Sequence, residues 1–100
     1  MTQRTARAHL RLLPSSEGGR SGPMQSGYRS LIRFERDDID FGFELLLDAD
    51  QLVPGSEGVG TLSFWAVDEL PELSPGQKFE VREGTRVVGH GTLLETASRQ

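Results

Sequence analysis

The residues best suited to chemistry in this chain cluster in Glu17–Arg29, EGGRSGPMQSGYR, which holds four glycines and two arginines. Such a stretch can cradle a phosphate, contact RNA, or simply join two strands. A nucleotide-binding loop needs G-x-x-x-x-G-K-[ST] between a strand and a helix, so that backbone amides and a lysine surround the phosphates. Here no lysine follows a glycine, Lys78 is the only lysine, and G-x-G-x-x-G is absent. Neither binding nor hydrolysis of GTP or ATP is expected, and no cofactor is expected. His9 and His90 stand alone in the sequence and no cysteine is present, so no metal site is expected. Asp37-Asp38-Ile39-Asp40 lacks the spaced ligands and glycine of a calcium loop and reads as a solvated turn. No nucleophile–base–acid set stands out, and the expectation is that the chain is not an enzyme.

One hundred residues bound the rest: they make one small domain, expected over 6–95, with short tails at 1–5 and 96–100. Without cysteine neither a disulfide framework nor a thiolate metal site is available. No apolar run is long enough for a membrane helix, and the basic N-terminal stretch has no apolar segment behind it. A cytoplasmic protein without membrane contact is the expectation. The net charge of −4 is unevenly spread. Residues 1–36 carry seven arginines against two glutamates, a balance of +5, and residues 37–100 carry four bases against thirteen acids, a balance of −9. That split gives either a basic and an acidic face, or interleaved strands whose charges neutralise; the second reading is favoured for a Greek-key fold. A pI near 5.1 argues against a dedicated nucleic-acid binder.

The apolar period is two. Ala6, Ala8, Leu10 and Leu12 alternate with polar residues, as do Tyr28, Ile32 and Phe34; Phe41, Phe43, Leu45 and Leu47; Leu62, Phe64 and Ala66; and Phe79 and Val81. With a β-rich end, these give strands near 6–13, 27–36, 39–48, 58–67, 77–83 and 86–95, separated by turn-formers such as Pro54-Gly55, Pro75-Gly76 and Glu83-Gly84. The expected core holds Leu10, Leu12, Tyr28, Ile32, Phe34, Phe43, Leu45, Phe64, Phe79 and Val81. Residues 48–52 are a candidate single helical turn. Gly89 and Gly91 share one face of the last strand and suggest a sharp bend or the close approach of another backbone, the bend being favoured. Leu13, Met24, Leu31, Leu46 and Trp65 fall on polar faces or in loops, where a cluster of them would mark an interface.

Two separated blocks, EGGR…P…GYR running into a strand and GQKFEVREGTRVVGHG near the end, resemble the third, C-terminal β-barrel domain of bacterial elongation factor Tu. The resembling positions include Gly18, Gly19, Arg20, Pro23, Gly27, Tyr28, Arg29 and Phe34, then Leu52-Val53-Pro54-Gly55, then Gly76, Phe79, Arg82, Glu83, Gly84, Arg86, Val88, Gly89 and Gly91. The resemblance covers about Ala6 to Glu95. It implies an all-β fold, a six-stranded antiparallel Greek-key β-barrel, which in that family does no chemistry but contacts the T-stem of aminoacyl-tRNA and packs on a GTPase domain.

By the same resemblance, Arg20 and Glu83-Gly84 stand at RNA-contacting positions. Leu31 replaces a contacting glutamine, Asp40 a contacting threonine, Ser21-Gly22 a His-Thr pair and Met24-Gln25 a phenylalanine pair, while the basic position near Ala66 is lost. Losing donors and adding a carboxylate both weaken phosphate contact. The expected function is a non-catalytic standalone binding module with a protein partner, using Arg20, Arg29, Glu83 and Gly84. A translation-associated module that binds tRNA or other RNA through Arg20, Arg29 and Arg33 is the alternative.

Overall fold

The computed structural model describes residues 4–35, 37–65 and 70–98. They form eight strands: β1 (Arg4–Leu12), β2 (Met24–Gln25), β3 (Arg29–Phe34), β4 (Phe41–Leu47), β5 (Gln51–Leu52), β6 (Glu57–Phe64), β7 (Lys78–Glu83) and β8 (Arg86–Ser98). Six close into an antiparallel barrel in the order β1-β6-β4-β3-β7-β8, with β8 pairing back onto β1. The successive barrel strands β3, β4 and β6 lie side by side, and β1, which precedes them, sits against β6. That is the Greek-key order. No α-helix occurs among the described residues; a single 3-10 turn spans Ser15–Glu17.

Period-two patterning builds this wall directly. In β1 the alanines and leucines at 6, 8, 10 and 12 are buried, while Arg7, His9 and Arg11 face out. Phe41, Phe43 and Leu45 do the same in β4, and Leu62 and Phe64 in β6. Phe34 sits at the centre of the aromatic core, its ring 6.2 Å from Phe41, 6.2 Å from Phe64 and 6.1 Å from Phe79, all tilted or edge-on. Those geometries suit the ring quadrupoles.

The structure departs from the sequence reading in several places. The outer strands run further, because Arg4 and Thr5 pair with Ser98 and Ala97. Residues 51–52 are a strand rather than part of a helical turn, since β5 pairs with β2 through Met24↔Leu52 and Gln25↔Gln51. Met24 is accordingly buried, not a surface apolar residue, and Leu52, Leu70 and Leu73 join the core with it. Tyr28 is only partly buried against the core, because its hydroxyl must reach a carboxylate. Arg36 and Ala66–Val67, assigned to strand ends, lie outside the described residues.

At the glycine pair the structure shows the close approach of another backbone: a Cβ at Gly89 would strike the Arg11 carbonyl. The β8 register shifts twice, leaving Val88 without a partner on β7 and Leu94 without a partner on β1. An extra residue bends its strand and increases its twist. Gly91 meets the same constraint: a Cβ there would collide with the Phe79 ring and the His9 carbonyl. Its missing side chain is the space that Phe79 occupies.

Phe34→Ala removes the ring that touches three others, and is expected to destabilise the chain by about 3–5 kcal/mol, a large share of a small domain's stability. Urea unfolding followed by circular dichroism checks this; a loss below about 1 kcal/mol would mean that the aromatic cluster does not hold the barrel.

Candidate functional site

Arg20 lies in the loop between β1 and β2, and Glu83 ends β7, yet the fold brings them together. The Gly84-Thr85 turn reverses the chain between paired Glu83 and Arg86, and Gly84 takes φ +64°, which a glycine adopts without steric cost. The loop approaches this turn because Met24 is buried and paired, and because Ser15 donates its hydroxyl to the Arg20 carbonyl at 2.7 Å.

Each Arg20 side-chain nitrogen makes one hydrogen bond inside the protein. Its Nη1 donates to Glu83 Oε2, its Nη2 to the Pro23 carbonyl at 3.2 Å, and its Nε to the Gly22 carbonyl at 3.3 Å. The guanidinium also stacks 5.0 Å from the Tyr28 ring centroid. Tyr28 donates its hydroxyl to the same Glu83 oxygen at 2.7 Å, and Arg86 stands 3.4 Å from the other. Burial tends to raise the Glu83 carboxyl, but the hydrogen bonds from Tyr28 and Arg20, with the Arg20 charge, outweigh it and hold its pKa below the ordinary carboxylate value. The Tyr28 phenol is pushed up from 10.0 to about 12, chiefly by burial and also by the Glu83 carboxylate.

Arg29, the fourth predicted binding residue, is elsewhere. It projects from the outer face of β3, opposite Glu44, with its guanidinium 3.5 Å from that carboxylate and 5.5 Å from the centroid of the Trp65 ring. Trp65 lies across Gly42, where a side chain would strike its ring, and remains 53% exposed. Leu31 pairs with Gly42 on the same sheet face, and exposed Leu46 lies on the outer face of β4. Of the five surface apolar candidates, Leu31 and Trp65 therefore both lie beside Gly42 with Leu46 further along the strand, Leu13 is half-buried just after β1, and Met24 is in the core.

The uneven charge resolves into interleaved pairs. Arg7 of β1 meets Asp48 at 2.8 Å, Arg33 meets Asp40 at 2.7 Å, and Arg20 meets Glu83. Asp40, at the position where the resemblance puts an RNA-contacting threonine, is thus engaged by Arg33 and approached by Arg82 at 3.8 Å. His9 and His90, isolated in the sequence, lie on adjacent strands, where Arg11 pairs with His90 and His9 with Thr92. Among the described residues no group of three or more His, Cys, Asp or Glu converges to hold a metal ion, and no helix is long and apolar enough to cross a membrane. No protein-family model matches the chain.

The Tyr28–Glu83–Arg20 cluster makes stability pH-dependent at both extremes. Glu83, lowered in the fold, contributes stability that is complete above its unfolded pKa and is lost as pH falls through the folded value. Tyr28, raised in the fold, contributes stability that is complete below 10.0 and is lost as pH climbs to about 12. Tyr28→Phe is expected to lower stability by about 1 kcal/mol at neutral pH, a modest figure for a half-exposed bond to a carboxylate, and to flatten the alkaline loss. Chemical denaturation between pH 3 and 12 checks this; an unchanged alkaline limb in the variant would dissociate Tyr28 from it.

Proposed function

We propose that this chain is a non-catalytic protein-interaction module on a barrel that resembles the C-terminal domain of elongation factor Tu, with a protein rather than tRNA as its partner. One observation carries the reading: Arg20, at the position where the resemblance puts an RNA-contacting arginine, has its guanidinium groups committed to Glu83, Gly22 and Pro23. An arginine so engaged fixes a loop against a turn instead of neutralising a phosphate. The groups left outward on the β3–β4 face are of another type. Trp65 and Arg29 are exposed beside Leu31, and tryptophan and arginine are the residue types that dominate protein interfaces. The Gly84 turn adds an open backbone. The net charge of −4 repels a polyanion at long range.

Two measurements test this. Titration of labelled tRNA at physiological salt is expected to show no saturable binding, while nuclease-treated host lysate yields a stoichiometric protein partner whose capture is lost on Arg29→Glu with Trp65→Ala. Saturable tRNA binding with a steep salt dependence, abolished by substituting Arg29 and Arg33, would instead support a translation-associated module. The purified chain is also expected to show no GTP or ATP turnover, since no loop joins an amide nest to a lysine and a magnesium ligand; phosphate release above a buffer control would contradict this.

A further inference from the structure

A groove of about 650 Å³ crosses the outer face of β1, β8, β7 and β3, away from the Arg20 loop. Two registered rows of side chains form it. Arg11, His90, Glu80 and Arg33 face one another across four strands, and His9, Thr92 and Lys78 form the next row. Strands lie about 4.8 Å apart and same-face residues about 6.8 Å apart along a strand, so Arg11 and Lys78 stand on a diagonal of about 12 Å with His90 and Thr92 between them. Both side chains are long enough to converge on one small ligand above those two residues.

The charges in the groove are not equally committed. Arg33 is held by Asp40 at 2.7 Å, Arg82 by Glu80 at 2.9 Å, and His9 by Glu57 at 2.7 Å. Arg7, Arg20, Arg29 and Arg86 elsewhere also have carboxylate partners. Arg11, Lys78 and His90 have none among the described residues, and all three are exposed. In a chain of net charge −4, two cations without carboxylate partners share one concave surface with an imidazole and a hydroxyl, and the carboxylate beside His90, Glu80, is already held by Arg82.

We propose that this groove binds a compact multivalent oxyanion, either inorganic phosphate or the phosphate of a small ester, held between Arg11, Lys78 and His90 with the Thr92 hydroxyl as a further donor. Arginine supplies a planar pair of donors and lysine a point charge, a combination suited to a tetrahedral anion. Phe34 and Phe79 form part of the floor, which limits water beneath the ligand and strengthens the charge interactions above it. Glu35 and Asp37 line the groove beyond Lys78 and set its selectivity: a short anion fits between the cations, while an extended polyanion would run onto those carboxylates.

Amide chemical-shift titration of the isotopically labelled chain tests this with inorganic phosphate, pyrophosphate and glycerol 3-phosphate, each against sodium chloride at matched ionic strength. Saturable shifts centred on Arg11, His90, Gly91, Thr92 and Lys78 are expected, with pyrophosphate tighter than phosphate. Arg11→Gln and Lys78→Gln should each weaken binding roughly tenfold, a magnitude typical of one charge-assisted contact. Arg7→Gln, which removes a cation of the same strand outside the groove, should leave it unchanged. Tighter binding of the ester than of phosphate identifies an ester ligand, and the reverse identifies the free ion; both support the site. Linear shifts reproduced by chloride, an equal loss in Arg7→Gln, or a single-stranded RNA oligonucleotide binding these amides more tightly than pyrophosphate would each overturn it.

Discussion

Strand β1 is hydrogen-bonded on both sides, to β6 through Arg4–Arg11 and to β8 through Arg4–Leu12, and nearly everything else depends on that double pairing. It closes the barrel, so that no barrel strand presents an open edge for unwanted pairing. It also places the basic N-terminal strand between two strands of the acidic half, which is why a chain split +5 against −9 acquires no fully basic face. Arg7 meets Asp48 and His9 meets Glu57 because of this insertion. These exposed pairs contribute little individually; their consequence is to decide which cations remain uncommitted.

The two surfaces that result differ in physical character. Around Arg20 the polar groups satisfy one another: a stacked guanidinium, a phenol and a carboxylate lock a glycine-rich loop to a hairpin turn. Such a cluster positions neighbouring groups and leaves few of its own donors outward. On the β1–β8–β7 face His9 and Arg82 are held by Glu57 and Glu80, while Arg11, Lys78 and His90 have no carboxylate partner among the described residues. A loop whose composition suggests ligand chemistry thus serves largely as scaffold, and the plainer strands carry the open donors.

Much of the fold was legible because alternation is a local signal. A barrel strand with one face inward must read apolar–polar–apolar, and Ala6–Leu12 and Phe41–Leu47 do so without interruption. What escaped was set by non-local geometry. Met24 and Leu52 look like loop residues until β2 and β5 pair across 28 residues of chain, and Leu70 and Leu73 follow no strand period. The bulges at Val88 and Leu94 sit in ordinary β-rich sequence, whereas the eye falls on the neighbouring glycines. Of the candidate site, Arg20, Glu83 and Gly84 were recoverable from the resemblance, and their proximity is real, but Arg29 belongs with Trp65 on another face. The placement of Arg11, His90 and Lys78 along one groove was not recoverable, since three isolated residues share a face only once the register of β1, β8 and β7 is known.

The groove and the core are two sides of one packing solution. Phe79 turns its ring into the space left open by Gly91, reaches Phe34 at 6.1 Å, and through Phe34 couples to Phe41 and Phe64. Phe79, Gly91 and Phe34 also line the groove. A small barrel has little apolar surface to spare, so the residues that close its core also floor its outer cleft. Any side chain at Gly91 must displace either the Phe79 ring or the β1 backbone at His9, and both movements alter the spacing between Arg11, His90 and Lys78. The donor geometry outside therefore rests on a steric vacancy inside, and the same glycine that looks like a weak point in β8 is what allows the core and the groove to exist together.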